Sequence, residues 1–269
     1  MILALDAGNT NICVGCIEEG QVKMTARIAT DRRKTEDEYA GVLEAVLQMN
    51  GVDPDALEGA IICSVVPPVN RCLSLAVEMV TGRTPLMVKP GLKTGLALRV
   101  DNPEGLGSDR IADTVAASTL YGGTVIAIDM GTMTTLSVVN GNKEFLGGVI
   151  CPGIRLSQQA LADNTSQLPA IGLEAPDRAI GRSTVECMKS GVIFGTAAMV
   201  DGLIAGIRRE LMEKGEQGPV QVVMTGGISR FIAPYCRESV AVDPDLLLKG
   251  LWILYQKNAG HHGRKEAGK

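Results

Sequence analysis

Two segments of this chain carry an aspartate, a glycine and a hydroxyl side chain in nearly the same order. Asp6-Ala7-Gly8-Asn9-Thr10 closes the first apolar run, and Asp129-Met130-Gly131-Thr132-Met133-Thr134 closes another in the second half. A nucleoside triphosphate is densely anionic, so a site for it needs backbone N–H groups in a concave turn, small residues for close approach, and a carboxylate to hold a divalent cation. In the first segment Gly8 can turn the chain, and the amides from Gly8 through Asn9, Thr10, Asn11 and Ile12 to about Cys13 can surround phosphoryl oxygens. The Thr10 hydroxyl can join them, and Asp6 can hold Mg²⁺ through water. A lone Asp-x-Gly-x-Thr is equally a tight hairpin with its aspartate as a turn former. The equivalent placement of the second segment favours the phosphate reading.

A third element, Val222-Val-Met-Thr225-Gly226-Gly227, is an apolar strand ending in a double glycine before a helix. It suits a ribose and adenine, although such turns also arise from packing alone. The acceptor side is sought in Asn102-Pro-Glu-Gly-Leu-Gly107-Ser108-Asp109-Arg110, a glycine-punctuated loop leading into an apolar helix. By themselves Asp109 and Arg110 read as a helix cap and a surface ion pair. Arg32-Arg33-Lys34 offers a phosphate clamp, but acidic neighbours on both sides make it more simply a solvated charged loop.

The elements that must position these residues occur in two rounds. Ile2–Leu5, Asn11–Ile17 and Val22–Ile28 read as three strands, and the capping box Thr35/Glu38 opens a helix with Tyr39, Leu43 and Leu47 at helical spacing. A strand at Ala60–Val65, a helix through Val80 and a strand at Leu86–Val88 complete the order βββαβαβ. The second half repeats it with insertions, starting from strands at Thr124–Ile128, Thr134–Val139 and Glu144–Ile150. Two like α/β domains, each presenting an Asp-x-Gly turn to a shared nucleotide cleft, is an arrangement similar to the tandem ribonuclease H-like domains of actin-like ATPases. The boundaries expected are 1–116, 117–257 and a disordered tail over 258–269.

Composition narrows the function classes. With 269 residues, a net charge of -4 and 45% hydrophobic content, the chain has ample core and no general attraction for nucleic acid or acidic membranes. The start has no basic leader and no apolar run nears the roughly 20 residues that span a bilayer, so a cytoplasmic protein is expected. The 7 cysteines read as reduced core thiols. Cys13 and Cys16 should point to opposite faces of one strand, which argues against shared metal or redox chemistry there. The only histidines, His261 and His262, fall in the expected tail, so no histidine triad is foreseen.

The ordered set Asp6–Thr10, Gly107–Arg110, Asp129–Thr135, Gly147-Gly148 with Pro152-Gly153, Thr184-Val-Glu and Thr225–Gly227 resembles the type III pantothenate kinases over nearly the whole chain. Met130, Met133 and Cys13 depart mildly from that pattern. The resemblance implies ATP-dependent phosphorylation of pantothenate, with Asp6, Ala7, Gly8, Asn9, Thr10, Asn11, Ile12 and Cys13 holding the phosphates and Thr132 adding a hydroxyl from the second domain. It implies that Gly107, Ser108, Asp109 and Arg110 bind pantothenate, Asp109 accepting the proton of its primary hydroxyl. Arg110 would meet either the substrate carboxylate or the transferring phosphoryl group. Asp129 would ligate K⁺ or NH₄⁺, or, by symmetry with Asp6, a second Mg²⁺. Thr184 would touch substrate across a homodimer interface, unless it or Ser183 serves as a helix cap. Another small-molecule kinase of the same superfold and a non-enzymatic transcriptional accessory factor are the competing readings.

Overall fold

The computed structural model describes residues 1–165, 168–216 and 218–266, and from residue 260 the backbone alone. Its secondary structure follows the hydrophobic periods closely. In β1 (Ile2–Ala7) alternate residues face opposite ways, so Leu3, Leu5 and Ala7 enter one core and Ile2 and Ala4 another. A strand buried on both faces belongs in the middle of a sheet. The order is β3 (Gln21–Ala29), β2 (Asn11–Glu18), β1, β4 (Gly59–Ser64), β5 (Leu86–Met87), with β1–β3 antiparallel and β4 and β5 parallel to β1.

The first core lies under α1 (Glu36–Met49) and α2 (Asn70–Thr81). Thr35 caps α1 as expected, its hydroxyl accepting from the Glu38 amide while the Glu38 carboxylate accepts from the Thr35 amide at 2.8 Å. On the opposite face lie α3 (Ser108–Leu120) and the last helix of the chain.

The second sheet repeats the first. Its order is β11 (Ala241–Val242), β10 (Val220–Thr225), β7 (Thr124–Met130), β8 (Met133–Val139), β9 (Glu144–Pro152), with the two-residue β6 (Ala97–Leu98) added at the far edge. β7 takes the place of β1, and β10 runs parallel beside it as β4 does beside β1. α4 (Ile154–Asp163), α5 (Thr184–Glu213) and the short α6 (Ser229–Ile232) enclose its core. The fold is a duplicated α/β unit, two ribonuclease H-like domains.

The chain separates into two compact units, one of Met1–Leu96, Val100–Ala116 and the chain from Asp245 onward, the other of Ala97–Arg99 and Ala117–Pro244. Two expectations are corrected here. Residues 245–257 do not close the second domain, because Leu248, Leu251 and Leu254 of α7 (Leu246–Glu266) pack with Ile2, Ala4, Ile17 and Ile61 of the first sheet. Nor does a disordered tail begin at 258. The Asn258 side chain is buried, accepts from the Lys93 amide at 3.1 Å and donates to the Lys93 carbonyl at 3.0 Å, and the helix runs on to Glu266. The glycines and charges after Tyr255 hide this from a periodicity reading. The side chains of His261 and His262 and residues 267–269 lie outside the described residues.

The seat of α7 is narrow. A Cβ on Gly250 would lie 2.0 Å from the carbonyl oxygen of Ala112 in α3. Gly250→Ala must therefore separate two helix backbones and should destabilise the protein by roughly 1–3 kcal/mol. Thermal unfolding checks this, and an unchanged Tm would show that the two helices part without cost.

α5 departs from another expectation. It has 30 residues, and its most apolar 18-residue window reaches a mean hydropathy of 1.6 with 28% of it buried, enough by length and composition to cross a bilayer. Yet Val192, Ile193, Ala197, Val200 and Ile204 pack into the second core. It is a core helix with a partly exposed apolar face.

Candidate active site

The parallel register of β1 and β4 sets Asp6 beside Cys63 and Ala7 beside Ser64. By the period of the strand, Asp6 points to the face where Ile2 and Ala4 meet α3. The start of α3 is fastened there. The Ser108 hydroxyl donates to the Ser64 carbonyl at 2.9 Å and accepts from the Cys63 thiol at 3.2 Å. Burial first, and then the negative fields of Asp6, Asp109 and Asp113, hold the Cys63 thiol well above its ordinary pKa, so it stays a neutral spacer among carboxylates. The turn after Asp6 and the start of α3 thus share one end of one sheet.

Asp109 is only partly exposed, and its carboxylate accepts from the Arg110 amide at 2.7 Å. Loss of hydration raises its pKa above the ordinary carboxylate value, against the lowering effects of that hydrogen bond and of the Arg110 charge. Gly107 leaves it space, since a Cβ there would lie 2.4 Å from an Asp109 carboxylate oxygen. Asp113, one turn further along α3 and buried, was not singled out in the sequence. The signal that could have found it is the Asp109-x-x-x-Asp113 spacing, which stacks two carboxylates on one helix face.

Within the segment from Asp6 to Cys13, side chains differ in exposure. Ala7 and Ile12 are fully buried in the first core, so their side chains meet no ligand. The Gly8 amide closes the turn on the Asn11 carbonyl at 3.0 Å, while Asn9, Thr10 and Asn11 are exposed. Cys13 lies opposite Asp6 in the β1–β2 ladder, and burial, reinforced by the Asp6 charge, pushes its thiol up to about 11. Cys16 sits in the first core and Cys13 against the second face, so the pair is split across the sheet as its spacing implies.

In the second unit, Asp129 pairs with Thr135 on one side and Thr225 on the other. The Gly131 amide donates to the Met133 carbonyl at 3.0 Å, and the Gly153 amide to the Thr132 carbonyl at 3.1 Å. Gly226 has φ +88°, and a Cβ on it would lie 2.5 Å from an Asp129 carboxylate oxygen and 2.6 Å from the Met130 carbonyl oxygen. The segments around positions 129, 153 and 226 therefore meet at one end of the second sheet. Thr132 is exposed on that turn. Thr184 belongs to a different element, the exposed first turn of α5, where Ser183 is the cap and accepts from the Glu186 amide at 3.2 Å.

Among the described residues no three His, Cys, Asp or Glu side chains gather as a metal cage. Mg²⁺ in phosphoryl-transfer sites is held by one or two carboxylates, waters and the phosphates themselves, and a single carboxylate beside an exposed glycine turn fits that manner of binding.

Solved structures of the same architecture cover nearly all of this chain. A protein from Sinorhizobium meliloti named as a 2-dehydro-3-deoxygalactonokinase aligns over 97% of this chain and 99% of its own, with TM-score 0.60 and 14% identity. One from Campylobacter jejuni, assigned to the Baf family of transcriptional activators, aligns over 96% and 100%, with TM-score 0.56 and 20% identity. Component A of (R)-2-hydroxyglutaryl-CoA dehydratase from Acidaminococcus fermentans aligns over 96% and 98%, with TM-score 0.55 and 14% identity. At such identities the likeness speaks for the fold alone, and with the duplicated sheets that fold is the actin-like one of two ribonuclease H-like domains.

Residues 2–206 match the family model described as type III pantothenate kinase, and the chain belongs to that family. It is a kinase that phosphorylates pantothenate at the expense of ATP, the opening step of coenzyme A synthesis.

Proposed function

We infer that the turn at Gly8–Asn11 binds the ATP phosphates, with Asp6 holding Mg²⁺ through water, and that the exposed Thr132 hydroxyl is a further nucleotide ligand. The observation that carries this reading is the fastening of Ser108 to Cys63 and Ser64, which sets Asp109 on the same face and sheet end as Asp6. Pantothenate is then held by Gly107, Ser108, Asp109 and Arg110. The transition state of phosphoryl transfer is loose, so Asp109 mainly aims the primary hydroxyl and takes its proton late. Arg110, adjacent to Asp109, meets either the substrate carboxylate or charge on the transferring group.

Asp129 is assigned to a monovalent cation, K⁺ or NH₄⁺. Support comes from its surroundings, where a carboxylate oxygen and the Met130 carbonyl oxygen both lie against Gly226 and supply neutral and charged oxygens together. A homodimer that brings Thr184 to the partner's substrate is supported by the apolar exposure of α5 and of Leu156 and Leu161 on α4. A cytoplasmic location fits the reduced thiols.

The test is an acceptor panel with labelled ATP, run in K⁺, NH₄⁺ and Na⁺, with light scattering on the same preparation. Label should pass to pantothenate far above any sugar, with K⁺ or NH₄⁺ required, from a particle of twice the chain mass. Equal rates in Na⁺ would remove the cation assignment, and a monomeric active particle would remove the dimer.

A further inference from the structure

The turn assigned to the ATP phosphates contains no charged residue, and Asp6, just before it, is an anion. Resting on that assignment, we propose that Arg32 supplies the missing positive charge, reaching from the β3–α1 loop to a phosphoryl oxygen of ATP. Three basic residues stand together in that loop, and the structure separates them. Arg33 is turned back onto Asp31, which accepts from its Nε and Nη2 at 3.2 Å each. Lys34 lies over the Tyr39 ring, 5.6 Å from its centre. Only Arg32 reaches the turn, where its Nη2 donates to the Asn9 side-chain oxygen at 3.4 Å.

The loop that carries Arg32 is anchored on both sides of it. Before it, the Thr30 hydroxyl donates to the Gly8 carbonyl at 2.7 Å and the Thr30 amide to the Thr10 carbonyl at 3.1 Å, so the loop is stitched to the phosphate turn itself. After it, the Asp31 amide donates to the Tyr39 hydroxyl at 3.0 Å, that hydroxyl donates to the Asp31 carbonyl at 2.8 Å, and the capping box at Thr35 starts α1. The backbone at position 32 is thereby held while the side chain remains exposed. A guanidinium in this position exchanges one long, weak hydrogen bond to a neutral amide for a charge-assisted one to phosphate, with little chain entropy left to lose. The sequence suggested a solvated charged loop; Arg32 is exposed as that reading expects, and of the three basic side chains it is the one that points to the turn.

Binding of MgATP and of adenosine is compared by calorimetry for the full chain and for Arg32→Ala, Arg32→Lys, Arg33→Ala and Asp6→Asn. Arg32→Ala should weaken MgATP about tenfold, the loss of one charge-assisted contact, and leave adenosine within about twofold. Arg32→Lys should recover part of the loss and Arg33→Ala should resemble the unaltered protein. If Arg32→Ala binds MgATP as the unaltered protein does while Asp6→Asn does not, the phosphate turn stands and the role of Arg32 falls. Equal weakening of MgATP and adenosine would also overturn it, since the residue would then act through the fold. If neither Asp6→Asn nor Arg32→Ala changes MgATP affinity, the phosphates are held elsewhere and both readings fail.

Discussion

Asp109→Asn is expected to lower kcat by about 10²- to 10⁴-fold, the range for loss of a positioned proton acceptor, while MgATP affinity stays near that of the unaltered protein. The amide keeps the shape and the neighbours of the carboxylate but cannot take a proton. The electrostatics add two further expected results. Because burial raises the Asp109 pKa, the acid limb of kcat/KM should fall at a higher pH than an ordinary carboxylate would give. The same shift has a sign in stability. The folded state holds the Asp109 proton more tightly than the unfolded chain, so Asp109 costs stability as pH rises from its unfolded value through its raised folded value, and above that window the cost is complete. At neutral pH, Asp109→Asn should therefore raise Tm slightly while lowering turnover by that factor. Rate profiles and thermal scans of one preparation check both, and retained turnover would remove Asp109 from its assigned role.

The second large effect is expected at Gly226. Its φ of +88° disfavours any side chain by roughly 1 kcal/mol. The greater consequence is steric, since a methyl group would press on the Asp129 carboxylate and the Met130 carbonyl and displace the turn that carries Thr132. Displacements of about 1 Å at such sites cost on the order of 10²-fold in rate, so Gly226→Ala should lose about that much kcat/KM. Steady-state kinetics at saturating pantothenate, with the K⁺ dependence measured alongside, would show it. Turnover equal to that of the unaltered protein would mean that the close approach of Gly226 to Asp129 serves packing alone.

Much of the architecture could be read from residue order. The continuous apolar run Ile2–Leu5, the capping box at Thr35 and Glu38, and the recurrence of an Asp-x-Gly turn after two equivalent strands are local signals, set by side-chain character and backbone hydrogen bonding, and the duplicated sheets follow them. The opposite placement of Cys13 and Cys16 is of the same kind.

What residue order left open was settled by contacts between segments remote in the chain. Only the parallel pairing of β1 with β4 places Cys63 beside Asp6, and the Ser108 hydrogen bonds together with the packing of α3 bring Asp109 and Asp113 to the same face. The seat of α7 on the first sheet, the closing of the Gly8–Asn11 turn and the different partners of Arg32, Arg33 and Lys34 are decisions of the same type. The reason is physical: period and capping act over a few residues, whereas the pKa of Asp109 and the reach of Arg32 depend on neighbours that only the folded chain supplies.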